Sequence, residues 1–130
     1  MVVLIQATVL TVGLDSRNEI LQELPIRLVA RQSGIEAARS IKNEEVDSVI
    51  SRWNLVDMKD GRFLKALRAA KPGVTTVALV KAGDRAQEIA ARSLGVSAVL
   101  TDESNDELFR ETVANVLRLK GRISIGAVYS

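Results

Sequence analysis

The chain has 130 residues, 47% of them apolar and 26% charged, and its 18 basic and 16 acidic side chains leave a net charge of +2. It has neither Cys nor His, which excludes disulfides, thiol nucleophiles, thiolate or imidazole metal sites, a Ser-His-Asp triad and a phosphohistidine relay. So small a charge excess makes a weak case for nucleic acid, and no apolar run approaches the roughly 18 residues of a membrane span.

In chain order, Val9-Leu10-Thr11-Val12 predicts a first strand ending at Gly13. Ser16 with Glu19 three places on has the spacing of a capping box and opens a brief helix before Pro25. Arg27-Leu28-Val29-Ala30 reads as a second strand, and Ser33 with Glu36 opens a helix to about Asn43. A third strand covers 46–51. Asp60-Gly61 precede an amphipathic helix with Phe63, Leu64 and Leu67 on its apolar stripe, ended by Pro72-Gly73. The basic residues of 59–71 are spaced as the solvated face of that helix.

A β-branched fourth strand covers 75–80. Asp84 caps the next helix, which carries Ile89, Ala90 and Leu94 and stops at Gly95. The fifth strand covers 97–101. Ser104 and Glu107 give a third capping box, for a last helix carrying Leu108, Phe109, Val113, Val116 and Leu117.

Five strand–helix units in alternation predict an α/β fold with a parallel sheet covered on both faces. Right-handed crossovers favour a doubly wound five-stranded sheet of order 2-1-3-4-5, flavodoxin-like. Sites in such sheets lie at the carboxyl ends of the strands. Here those ends are Gly13-Leu14-Asp15, Ser51-Arg52-Trp53-Asn54, Lys81-Ala82 and Thr101-Asp102.

The stretch Val49-Ile50-Ser51-Arg52-Trp53-Asn54, followed by Met58 and Asp60-Gly61, resembles the third-strand motif of response regulator receiver domains. Lys65-Ala66-Leu67-Arg68, Val77-Ala78-Leu79-Val80-Lys81-Ala82 and Leu94-Gly95-Val96-Ser97-Ala98-Val99-Leu100-Thr101-Asp102 match later family segments. The resemblance covers about residues 7–119 and implies one receiver-like domain over 1–130, with a core of about 7–120 and extensions at 1–6 and 121–130. It also implies a set of site positions, each occupied by the wrong residue type. The acidic pair that would hold Mg²⁺ is Gly13-Leu14, with Asp15 one step late. The phospho-accepting Asp is Arg52, the Ser/Thr after the fourth strand is Lys81, the Lys after the fifth is Asp102, and the aromatic switch is Val99. One residue is inserted among 57–60.

An arginine accepts no phosphoryl group stably, and a site with Arg52 and Lys81 repels Mg²⁺, which takes hard oxygen ligands. The expectation is a degenerate pseudo-receiver without metal, cofactor or enzymatic activity. Arg52 and Asp102 are expected to form an ion pair across the rim. Arg52 with Lys81 forms an anion pocket, unless Asp15, Asp57 or Asp102 already neutralises them. Trp53 reads as a packing residue. The fourth helix, fifth strand and last helix carry Arg85, Glu88, Arg92, Asp106, Glu107, Arg110 and Glu111, mixed signs that suit pairing across a two-fold axis.

The terminal runs 2–5 and 123–129 are apolar and β-rich, and an exposed apolar strand is a hazard unless paired. They are expected as added strands, against each other or a second chain, with a frayed tail as the alternative. About ten residues follow the last helix, so no effector domain is expected there. The function expected is a cytoplasmic, phosphorylation-independent protein-interaction or dimerisation module, binding a protein partner or itself, in bacterial-type two-component signalling. The rivals are a small-anion or ligand sensor using Arg52 and Lys81, and a regulatory domain cut from a longer DNA-binding response regulator.

Overall fold

A computed structural model describes residues 6–119. β1 (Ala7–Val12) runs through a 3-10 turn (Asp15–Arg17) into α1 (Asn18–Leu21). There follow β2 (Ile26–Arg31), α2 (Gly34–Asn43), β3 (Ser48–Arg52), α3 (Arg62–Ala70), β4 (Thr75–Val80), α4 (Arg85–Leu94), β5 (Ala98–Thr101) and α5 (Asp106–Leu119). Every strand pair is parallel and the sheet order is β2-β1-β3-β4-β5. This is the doubly wound arrangement that the alternation of periods predicts.

The strand sequences explain the order. β1 and β4 are buried at every position, as a strand covered on both faces must be, whereas β2 and β5 include half-exposed residues and lie at the edges. Successive side chains point to opposite faces, so one strand feeds two cores. Val9, Ile50, Val77 and Leu79 pack with Leu21 of α1 and Phe109, Val113 and Leu117 of α5. Leu10, Val12, Val49, Ala78 and Val80 pack with Ala37, Leu64, Leu67 and Ala91 of α2, α3 and α4.

Helix ends follow local chemistry in part. The Ser33 hydroxyl accepts from the Glu36 N–H at 3.2 Å and donates to its carboxylate at 3.1 Å, so the N-cap half of the expected capping box forms and Glu36 meets the hydroxyl in place of the Ser33 N–H. The Asp84 carboxylate accepts from the Gln87 N–H, and Gly95 closes α4 at φ 87°. The other two expected boxes do not form. The residue before α1 is Arg17, already helical in backbone angle, so no extended cap residue stands there for Ser16 to become. Ser104 accepts instead from the Thr101 N–H, and Asn105 caps α5 by accepting from the Leu108 N–H at 2.8 Å.

Two residues expected on apolar stripes are largely outside: Ile89 is 57% exposed and Leu108 47%. The core faces of their helices are carried by Ala91 and by Phe109, Val113 and Leu117 instead. The expected terminal strands lie outside the described residues. No helix among the described residues is long and apolar enough to cross a membrane.

Candidate functional site

Parallel strands end at one edge, and their pairing sets the neighbours there. Val12 pairs with Ser51, so Gly13 and Arg52 follow side by side. Val80 pairs with Thr101, so Lys81 and Asp102 do the same. A cleft of about 160 Å³ opens among Arg52, Asn54, Lys81, Gln87 and Asp102, over Leu79 and Val80.

Arg52 is half-buried and turns toward β1. Its Nε donates to the Gly13 carbonyl. A Cβ built on Gly13 would stand 3.4 Å from Arg52 Cδ and 3.1 Å from Leu55 Cδ2, so the Arg52 stem and Leu55 cover Gly13. Gly13 itself has φ +73°, a conformation that glycine adopts without strain. Leu14 turns inward and is 1% exposed, in the α1/α5 core. Asp15 is exposed, at φ 53°. Val99 is half-buried against the opposite core.

The expected Arg52–Asp102 ion pair is not made. No ion pair within 4 Å joins Arg52 or Lys81 to Asp15, Asp57 or Asp102. Asp102 is held from two other sides: its carboxylate accepts from the Ala82 N–H at 2.9 Å, and its carbonyl accepts from Arg17 Nη2 at 3.0 Å. The Arg17 guanidinium also lies over the Phe109 ring, 5.2 Å from its centre. Arg17 thus ties the start of the first helical segment to the end of β5, a role with no signal in its own stretch of sequence.

The loop between β3 and α3 is closed by its own bonds. The Leu55 N–H donates to the Met58 carbonyl, the Gly61 N–H to the Trp53 carbonyl, and the Asp60 N–H to Asn54 Oδ1. Trp53 is 4% exposed, a packing residue. Gly61 lies so near that a Cβ there would meet the indole ring at 2.3 Å. Lys65 Nζ stands 5.7 Å from the ring centre.

Asp57 faces away from the cleft. Its carboxylate accepts from the N–H groups of Gly34 at 2.8 Å and Ile35 at 2.9 Å, at the start of α2. The Gly34 bond above all, with that from Ile35, lowers its pKa below the usual carboxylate value against a smaller opposing effect of burial. The two positions are 23 and 22 residues apart in sequence, beyond the reach of local capping patterns.

Of the charged residues on α4 and α5, Arg92 pairs with Glu88 one turn away at 3.1 Å, and Arg110 pairs with Glu23 at 2.8 Å. Those three are engaged within the chain; Arg85, Asp106, Glu107 and Glu111 make no ion pair with other described residues. The exposed Ile89 and Leu108 stand on the helices flanking β5.

No family model matches the sequence, and no curated protein matches it. Solved structures do. The signal receiver domain of an HD domain-containing protein from Pseudomonas fluorescens Pf-5 superposes with a TM-score of 0.80 at 20% identity, over 89% of this chain and 98% of that one. A CheY-like response regulator receiver domain protein from Methanospirillum hungatei JF-1 gives 0.80 at 18% identity, over 89% and 97%. The chemotaxis response regulator CheY4 of Vibrio cholerae gives 0.75 at 22% identity, over 86% and 99%. Likeness at these identities speaks for architecture, and the chain has the receiver fold of signal-transduction response regulators.

Proposed function

We propose that this chain is a pseudo-receiver, one domain that works without phosphorylation as a protein-interaction or dimerisation module in cytoplasmic, bacterial-type signalling. The observation that carries the reading is the seat of Arg52. Its side chain leaves the end of β3, covers Gly13 and bonds to the Gly13 carbonyl. Phosphoryl transfer to a carboxylate needs a nucleophilic oxygen and a divalent cation to neutralise developing charge. A guanidinium supplies neither.

The residues present do not fit Mg²⁺, which takes several hard oxygen ligands, usually carboxylates. Gly13 has no side chain, Leu14 is buried among apolar neighbours, and two cations line the cleft beside the single carboxylate of Asp102. Without His or Cys, acid–base and nucleophilic chemistry would fall to carboxylates, Lys and hydroxyls, and the cleft sets a single carboxylate beside two cations, which favours a role of contact.

The edge formed by β5 with α4 and α5 is the contact surface. β5 lies at the end of the sheet, and Ile89 and Leu108 are exposed apolar side chains on its flanking helices. Arg85 and Asp106 supply unspent charges of opposite sign on the same two helices.

The test is sedimentation velocity and Trp53 fluorescence with and without beryllofluoride and Mg²⁺. Neither shows a change that requires both reagents if the domain is set permanently in one state. A change in assembly that requires both reagents overturns the reading.

A further inference from the structure

We infer that the cleft at the carboxyl ends of β3, β4 and β5 binds a small oxyanion, a carboxylate or a phosphate, held by side chains and without a metal. This goes beyond the interaction role proposed above. Its argument is an account of hydrogen-bonding capacity. Five polar side chains line the cleft: Arg52, Asn54, Lys81, Gln87 and Asp102.

Each acceptor side chain among them takes one backbone donor, and only the second carboxylate oxygen of Asp102 has none among the described residues. Asn54 Oδ1 takes the Asp60 N–H at 2.7 Å, Gln87 Oε1 takes the Lys81 N–H at 3.0 Å, and Asp102 Oδ1 takes the Ala82 N–H at 2.9 Å. Fixing the oxygens of Asn54 and Gln87 also fixes which end of each amide is the NH₂ group. Those two NH₂ groups remain, together with the Lys81 ammonium and the Nη groups of Arg52. None of them donates to another described residue, and Arg52 spends only its Nε, on Gly13.

A cleft rich in unspent donors is complemented by a ligand rich in acceptors. The charge agrees: two cations face one carboxylate, and neither Asp15 nor Asp57 pairs with them. Charge-assisted bonds from Arg and Lys to an oxyanion are the strong kind, and the Arg fork suits two oxygens at once. The volume, about 160 Å³, is below that of pockets for drug-sized ligands. It suits a single phosphate or a short carboxylate. Asp102 opposes the ligand charge, which makes its removal a test of the sign.

The experiment titrates inorganic phosphate and, separately, acetate into the full chain. Ionic strength is held constant with chloride, EDTA is present, and Trp53 fluorescence and the amide resonances of residues 52, 81 and 102 are followed. Saturable binding of one anion or both is expected, in the millimolar range; phosphate alone marks a phosphate monoester site, acetate alone a carboxylate site. Lys81→Gln, an exposed substitution that needs no refolding of the core, weakens binding about tenfold. Arg52→Gln weakens it as well, and Asp102→Asn tightens it severalfold. Lys42→Gln, in the last turn of α2 and so at the opposite edge of the sheet from the cleft, leaves it unchanged.

Non-saturating shifts with both anions, equal affinity in Lys81→Gln, or a requirement for Mg²⁺ overturns the inference. Failure here leaves the mass of the protein untouched. Failure of the pseudo-receiver reading appears as a covalent phosphoryl adduct, so the two are separable.

Discussion

The Nε of Arg52 donates to the carbonyl of Gly13, and the Arg52 stem lies 3.4 Å from where a Cβ at position 13 would stand. The two residues fit each other: a Cβ at 13 would touch the arginine stem, press on Leu55 at 3.1 Å and sit on a backbone at φ +73° that disfavours any side chain. Reversing one of them therefore does not rebuild a phosphorylation site. Arg52→Asp restores a carboxylate but leaves Gly13, Leu14, Lys81 and Asp102 as they are. Incubated with acetyl phosphate and Mg²⁺, that variant shows no phosphoryl adduct by intact mass. It also loses the bond to Gly13, at a cost of about 1–2 kcal/mol, seen as a Tm lower by several degrees. A fully phosphorylated variant contradicts the argument that several positions fail together.

Three glycines make a graded test of the packing around Trp53. A Cβ at Gly61 meets the indole at 2.3 Å in a backbone held at φ +70°. Gly61→Ala combines left-handed strain with overpacking and costs about 2–5 kcal/mol. Gly83 has φ +82° and nothing within 4 Å, so Gly83→Ala costs strain alone, about 1–2 kcal/mol. Gly73 has neither constraint, and Gly73→Ala is neutral or stabilising by up to about 1 kcal/mol. Urea unfolding checks the order, and equal losses at 61 and 83 refute the close approach of Trp53.

Asp57 gives the pH dependence a sign. Its folded-state pKa is lowered by the N–H groups of Gly34 and Ile35, so its contribution is present above the ordinary carboxylate range. That contribution fades as pH falls through the lowered value. The stability difference between wild type and Asp57→Asn is therefore constant from pH 6 to 8 and shrinks in acid. Thermal melts over a pH series measure it. A difference that grows on acidification means the carboxylate does not cap α2.

The contact edge is probed by Ile89→Arg. The side chain is 57% exposed, so fold stability changes by less than about 0.5 kcal/mol. Self-association measured by sedimentation equilibrium is lost in the variant if this edge joins two copies. A dimer that persists unchanged places the interface elsewhere on the domain.

Most of the architecture was legible because local signals were strong and agreed. Ser33 with Glu36, Asp84 and Gly95 each mark a helix end by backbone chemistry that acts within four residues. Ser16 and Ser104 carry the same letters without the role, since a 3-10 turn at one and the neighbouring Asn105 at the other take the helix start. The site was legible as a set of positions and illegible as a set of contacts. Arg52 and Asp102 read as partners by charge. Each found a nearer main-chain group, the Gly13 carbonyl and the Ala82 N–H, and backbone groups carry no mark in a sequence. The bond from Asp57 to the start of α2 spans the fold and has no local pattern at all. Ile89 and Leu108 were misplaced because an apolar residue one position off the stripe looks like part of it.

The most direct test of the central claim is the intact mass of the wild-type chain after prolonged incubation with acetyl phosphate and Mg²⁺. With Arg52 at the end of β3 and no acidic pair after β1, the mass stays that of the unmodified chain and no hydroxylamine-labile group appears. A stoichiometric increase of one phosphoryl group on an aspartate contradicts the account.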